Sequence, residues 1–131
     1  MISLKVVTPS GVYTQKEVKS IRLKSVEGEM TILSNHMPLF ASLKVCPLYL
    51  KDENDEILEY AISGGFFQFK DNASLLLTDA IEGRGEIDVE RAKRAYERAR
   101  ARLDKKDSDT NMKRAQLSLE RAINRIHVYG D

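Results

Sequence analysis

Cysteine is nearly absent. Cys46 is the single thiol in 131 residues. One thiol closes no internal disulfide, so nothing argues for an oxidising compartment. Its apolar setting beside Pro47 suits a buried structural side chain rather than a nucleophile. Histidine is equally scarce. His36 and His127 lie in different segments, and neither has a Cys or carboxylate at ligand spacing. No apolar run approaches the ~18 residues of a membrane span, and Met1-Ile2-Ser3-Leu4-Lys5 lacks the layout of a signal peptide. The expectation is an intracellular chain without direct membrane insertion. Surplus charge is missing too: 21 Lys/Arg face 20 Asp/Glu, net +1. That balance gives no argument for nucleic acid.

Catalytic signatures are also missing. There is no Gly-x-Ser-x-Gly, no Gly-rich loop ending in Lys-Ser/Thr, and no His-Glu-x-x-His; Gly64-Gly65 alone is a turn signal. The acidic cluster Asp52, Glu53, Asp55 and Glu56 reads as a solvated hairpin rather than a metal site. A non-enzyme with no required cofactor and no metal is expected.

The most telling absence is local. Residues 86–129 contain no Gly and no Pro, whereas the first 85 hold six of the seven Gly and all three Pro. Charge divides at the same place, with 9 Lys/Arg against 11 Asp/Glu before residue 86 and 12 against 9 after it. The chain therefore reads as an α+β protein: an antiparallel β-sandwich at residues 1–83, then a helical domain at 84–131. In the first part, short runs alternate with turn signals: residues 2–8, a strand from Val12, 17–25, 30–33, 39–45, 48–51, 56–63, 66–70 and 74–80. Nine or ten strands fit. Ile21 and Leu23 share a face between Arg22 and Lys24. Ser34 to Pro38 is a loop, Gly64-Gly65 a break, and Asp71-Asn72 a tight turn.

Glu82-Gly83-Arg84-Gly85 links the two parts. Asp88 is a good N-cap, with Ile87 and Ala92 placed for a weak hydrophobic staple. At 100° per residue Val89, Ala92, Tyr96, Ala99 and Leu103 share one face, Ala95 at its edge. That face is mostly alanine, so a partner can approach closely. Asp107 to Thr110 interrupts the pattern, with Asp109 or Thr110 capping a second helix. There Met112, Ala115, Leu119, Ala122, Ile123 and Ile126 form the apolar stripe. The two stripes satisfy each other in a helical hairpin.

Arginines supply the remaining pattern. Arg91, Arg98 and Arg102 fall within about 40° on the first helix, with Arg94 on the same flank. Arg114, Arg121 and Arg125 make an equally narrow stripe on the second, set opposite its apolar one. Like charges at this spacing cost a few tenths of a kcal/mol each. Either solvent screens them, helped by Glu90–Arg94 and Glu97–Arg100 pairs, or an anion lies between them. A planar guanidinium grips phosphate oxygens in pairs.

The ordered set Ser25-x-Glu27-Gly28-Glu29, His36-Met37-Pro38-Leu39, Ser63-Gly64-Gly65-Phe66, Ile87-Asp88-x-x-Arg91-Ala92, Lys113-Arg114-Ala115 and Arg121-Ala122-x-x-Arg125 resembles the epsilon subunit of bacterial F-type ATP synthase across essentially the whole chain. The resemblance implies a ten-stranded sandwich and two helices. It implies a non-catalytic central-stalk subunit that binds gamma, touches the rotor c ring, couples proton or sodium flow to ATP synthesis, and restrains hydrolysis by extending its helices into the alpha/beta head. It places the protein peripherally on the cytoplasmic face of the bacterial cell membrane. It assigns the ring contact to Glu29 and His36. It also implies ATP as a regulatory ligand, at Glu82, Ile87, Asp88, Arg91, Ala92, Arg98, Arg121 and Arg125. Where the family has Leu-Pro-Gly before the His, this chain has Leu33-Ser34-Asn35. Asn tolerates a left-handed backbone, but losing Pro is expected to loosen the turn. The competing reading is a free-standing ligand-binding sandwich with a helical dimerisation arm.

Overall fold

The computed structural model describes residues 1–105 and 109–130, with 109–111 in backbone only. It divides into two units, Met1–Gly83 and Arg84–Asp131. The first holds strands β1 (Ile2–Thr8), β2 (Gly11–Val18), β3 (Ser20–Ser25), β4 (Gly28–Leu33), β5 (Leu39–Lys51), β6 (Ile57–Lys70), β7 (Ala73–Leu77) and β8 (Ile81–Gly83). Neighbours run β2-β1-β7-β6-β5-β3-β4, with β8 also on β6.

Two strands serve both layers of the sandwich. The leading half of β5 pairs with the trailing half of β6, from Leu39↔Phe69 to Leu43↔Gly65, in the layer of β7, β1 and β2. Their other halves pair from Val45↔Ser63 to Lys51↔Ile57 in the layer of β3, β4 and β8. The expected nine or ten strands are thus eight continuous ones, two of them counted once in each layer. Neither expected interruption breaks a strand. Pro47 sits opposite a gap in the β3–β5 ladder, between Arg22 and Ser25, where a missing donor costs least. Gly64 and Gly65 take φ of +84° and +121°, which bends β6 without changing its register on β5. The antiparallel expectation fails at one pairing: β1 lies parallel to β7. These strands are distant in sequence, so no tight turn dictates their direction.

Alternation fills the core. Ile2, Leu4 and Val6 of β1, Ile21 and Leu23 of β3, Leu48 and Leu50 of β5, and Phe67 and Phe69 of β6 are all buried. Cys46 joins them, and burial pushes its thiol pKa up, as a structural residue requires. Tyr13 of β2 meets Tyr60 of β6 edge-to-face at 6.3 Å, and Lys16 Nζ donates to the Tyr60 hydroxyl at 3.3 Å. The acidic cluster is a closed turn: Asp52 Oδ1 accepts from the backbone N–H of Asn54 and Glu56, at 2.8 and 2.9 Å.

The second unit opens with a 3₁₀ turn (Arg84–Glu86), then α1 (Val89–Lys105) and α2 (Asp109–Tyr129), which pack together as a two-helix hairpin. Asp88 Oδ1 accepts the Arg91 N–H at 3.0 Å, so the expected N-cap is made. Ile87 and Ala92 are buried beside it. Alanine forms the seam, with Ala92 and Ala99 on α1 and Ala115 and Ala122 on α2 all buried. The seven-residue spacing on both helices suits a long antiparallel contact. The α2 stripe needs one correction and two additions. Ile123 is 48% exposed, whereas Asn124 and Val128 are buried. Ile123 lies at the stripe's margin, about 100° from Ala122. The capping role expected of Asp109 or Thr110 lies outside the described side chains.

The bend in β6 gives a direct test. A Cβ on Gly65 would stand 1.9 Å from the Leu77 carbonyl oxygen, while one on Gly11, also at positive φ, would meet nothing within 4 Å. Gly65→Ala is expected to remove about 2–4 kcal/mol and lower Tm by roughly 10 °C or more, and Gly11→Ala clearly less, by scanning calorimetry. A second test concerns Lys19, whose Nζ lies 2.8 Å from Asp55 Oδ1 and holds that carboxyl below its ordinary 3.8. Because the folded value is depressed, the pair's contribution is complete at neutral pH and is lost as pH falls below 3.8 through the folded value. Lys19→Met should return the Asp55 titration upward toward 3.8 by NMR.

Candidate functional site

The residues singled out in the sequence fall on both units. Glu82 lies in β8 of the sandwich, while Ile87, Asp88, Arg91, Ala92, Arg98, Arg121 and Arg125 lie in the helical unit. Within the helical unit, Asp88, Arg91 and Ala92 meet in the first turn of α1, where the Ala92 N–H also donates to the Asp88 carbonyl at 3.0 Å. Ile87 and Ala92 are packing residues by their burial, leaving Asp88 and Arg91 as the exposed polar pair.

The arginines divide into two groups. Arg91, Arg98, Arg102 and Arg114 are exposed, whereas Arg121 and Arg125 are half-buried. The second stripe therefore does not stand opposite the apolar one. It runs along its flank, as 100° per residue dictates once Ala115, Leu119 and Ala122 define the seam. The expected Glu90–Arg94 and Glu97–Arg100 pairs are not formed among the described residues. Arg121 stands out: its Nε is buried and has no hydrogen-bond partner among the described residues. A buried unsatisfied donor costs about 1–3 kcal/mol, more when charged. An anionic oxygen is the kind of acceptor that would satisfy it.

One contact was not foreseen. Arg84 Nε donates to the Tyr129 carbonyl at 3.1 Å, tying the start of the helical unit to the end of α2. Gly130, at φ +122°, ends that helix with its N–H on the Ile126 and His127 carbonyls. Arginine at a helix C-terminus also complements the helix dipole. The Gly after a Gly-free helix was the available signal.

On the sandwich, Glu29 sits at the start of β4, paired across the strands to Lys24. Its Oε1 lies 3.4 Å from Arg22 Nε, and the Arg22 guanidinium stacks 4.2 Å from the Tyr49 ring centroid. His36 is half-buried, its ring edge-on to Phe69 at 5.9 Å. Its Nδ1 is 2.7 Å from the Met37 carbonyl oxygen. A carbonyl only accepts, so Nδ1 carries the proton and Nε2 is the acceptor of the neutral ring. Asn35 has φ +66°, the left-handed backbone foreseen for it. The expected loosening is countered, because Asn35 and Asn72 bond to each other twice.

A second surface was not foreseen. On the outer face of the β2-β1-β7-β6-β5 layer, Phe40 and Phe66 stack at 5.7 Å and 23°, and stay 67% and 47% exposed. Leu77 adjoins Phe66 across the β6–β7 pair. A shallow depression of about 330 Å³ beside them is lined by Val7, Pro9, Gly65, Phe66, Leu77 and Thr78. Lys5, Gln15, Gln68 and Lys70 line a second depression on this layer. The signal was the pair Phe66-Phe67: neighbours in a strand face opposite ways, so one had to point outward.

Comparison with known proteins covers both units. Residues 1–84 match the family described as ATP synthase, Delta/Epsilon chain, beta-sandwich domain, and residues 86–130 the one described as ATP synthase, Delta/Epsilon chain, long alpha-helix domain. The chain is 37% identical over 131 residues to the ATP synthase epsilon chain of Ligilactobacillus salivarius, covering 98% of this chain and 94% of that one. It is 42% identical over 130 residues to that of Halalkalibacterium halodurans, covering 98% and 97%. Among solved structures it is similar to a chain of the Euglena gracilis mitochondrial ATP synthase OSCP/F1/c-ring assembly, with TM-score 0.81, 28% identity, and 91% and 75% coverage. A chain of the Tetrahymena thermophila mitochondrial ATP synthase central stalk/c-ring shares the fold at TM-score 0.64 and 16% identity, with 98% and 96% coverage.

Proposed function

The chain belongs to the epsilon-chain family of F-type ATP synthases, and on that premise we propose that it is a non-catalytic rotor subunit with two tasks. Its sandwich docks on gamma and meets the c ring through Glu29 and His36, so that ion-driven rotation is coupled to ATP synthesis. Its helical unit switches between a closed hairpin and an extended arm that enters the alpha/beta head and restrains hydrolysis. ATP binds the closed form at the arginines and favours it by mass action. The protein works peripherally, at the cytoplasmic face of the bacterial cell membrane. No helix among the described residues is long and apolar enough to cross one.

The observation that carries the docking task is the stacked Phe40–Phe66 pair, held on a sheet face and left exposed. Exposed aromatic anchors beside a shallow depression are what a partner surface buries for most of its binding energy. Phe40→Ala with Phe66→Ala should leave the isolated fold intact by circular dichroism and weaken capture of gamma by about 30-fold or more, the scale of a hot-spot pair. Unchanged capture of gamma would remove this face from the interface.

The nucleotide task is favoured by the orphaned Arg121 Nε. Millimolar ATP should raise the Tm of the isolated protein, saturably, by differential scanning fluorimetry. Arg91→Ala should abolish most of the rise. Arg121→Met should abolish it too, yet leave Tm without ATP equal to or above wild type, because a buried unsatisfied donor is gone. If ATP gives no saturable rise, the stripes serve only solvent or the head.

A further inference from the structure

We propose that Asn35 and Asn72 are a positioning pair for the rotor-ring contact, holding by side-chain hydrogen bonds a turn whose own residues specify it weakly. The proposal rests on the reading that His36 meets the ring.

The His36 N–H donates to the Leu33 carbonyl at 3.1 Å, closing a four-residue turn over Leu33-Ser34-Asn35-His36. Asn35, in its third position, has φ +66°, while Ser34 is not among the positive-φ residues. That is the pattern of a type II turn, for which Pro second and Gly third are the best residues. Here the positions hold Ser and Asn. Ser leaves the backbone unrestrained where Pro would fix φ, and Asn tolerates positive φ less well than Gly. Left to itself, this turn would sample other conformations.

Asn72 supplies what the turn lacks. The Asn35 backbone N–H donates to Asn72 Oδ1 at 2.6 Å, and Asn72 Nδ2 donates to Asn35 Oδ1 at 3.0 Å. Reciprocal bonds of this kind fix both distance and orientation. A Gly at position 35 could not accept the second bond.

The anchor is itself well fixed. Asp71 and Asn72 have φ of +52° and +59°, the signature of a tight type I′ hairpin between β6 and β7. The Asn72 carbonyl accepts the Ser3 N–H at 2.9 Å, which ties the hairpin to β1. Asn72 thus joins three segments: the head of β1, the β6–β7 hairpin and the β4–β5 turn. His36 follows Asn35 directly and lies edge-on to Phe69, near the end of the same hairpin. The turn and the surface that receives the imidazole are therefore set from one place. Asn72 acts on the ring contact through His36.

The test compares wild type, Asn72→Ala, and Asn72→Ala combined with Ser34→Pro and Asn35→Gly. The last restores the turn through backbone preference and leaves the bridge absent. In the isolated protein, NMR reads the ring-current shift of His36 from Phe69 and the exchange of the His36 amide. In the assembled ATP synthase, pumping of the coupling ion is measured per ATP hydrolysed. Asn72→Ala should speed His36 amide exchange by about tenfold, the scale of one or two lost hydrogen bonds. It should also diminish the ring-current shift and lower the pumping ratio. The Pro-Gly turn should restore all three. A general loss of sandwich stability could not be rescued by two residues at the turn. Unchanged His36 signals in Asn72→Ala would overturn the pair. So would a disturbed His36 with normal pumping, or a failure of Pro-Gly to restore a folded variant. His36→Ala separates the levels: if it pumps like wild type, the ring-contact reading itself has failed, and the positioning role falls with it.

Discussion

The sandwich depends on one close approach, that of the Gly65 backbone to the Leu77 carbonyl. At that point β6 leaves its pairing with β8 and takes up pairing with β7, while remaining on β5 on both sides. Residues with a Cβ would hold the strand away from Leu77, and the bend that carries it between layers would open. The same bend places Phe67 and Phe69 in the core and leaves Phe66 outside. Core-facing positions pass from Leu58, Tyr60 and Ile62 before the bend to Phe67 and Phe69 after it, so the change of layer decides which phenylalanines are buried and which stay outside.

The two units are stabilised in different ways. The sandwich core is filled by whole Ile, Leu and Phe side chains, each contributing about 1.5–3 kcal/mol on burial. The helical seam is mostly alanine, and one methyl adds only ~0.8 kcal/mol. Small residues bring the helices close, but they bind them weakly for their length. The caps then matter more, and both are present: Asp88 at the start of α1 and Arg84 on the end of α2. A weak seam with firm ends suits the switch proposed above, in which each helix stays whole while the two part.

What was legible in the sequence was whatever local periodicity specifies. The alternation of Ile2, Leu4 and Val6, the capping by Asp88 and the alanine face of α1 could be read because each depends on neighbours within a few residues. Pro47 and Gly64-Gly65 misled for the opposite reason. Their local preference is to interrupt, and the ladders beside them decide otherwise. The parallel β1–β7 pair joins residues some seventy positions apart, and no local pattern encodes it. Among the candidate site residues, types and stripes were legible, but burial was not. Arg121 and Arg114 look alike in the sequence, yet only Arg121 has a guanidinium nitrogen buried without a partner among the described residues.

That difference decides how the arginines should be read. Like charges three or four residues apart oppose one another by about 0.2–0.5 kcal/mol per pair, and salt screens exposed charges beyond roughly 8 Å. Arg91, Arg98, Arg102 and Arg114 are exposed, so a solvated surface accounts for them at little cost, and on their own they require no ligand. Arg121 cannot be explained that way. Water does not reach its Nε, and no described protein group compensates it. The penalty of about 1–3 kcal/mol is at least comparable with what a whole exposed stripe incurs. The proposed nucleotide would remove that penalty only through a local opening that admits a phosphate oxygen to the nitrogen, and its charge would ease the repulsion along both stripes. The nucleotide reading proposed above therefore rests on one buried nitrogen more than on the number of arginines.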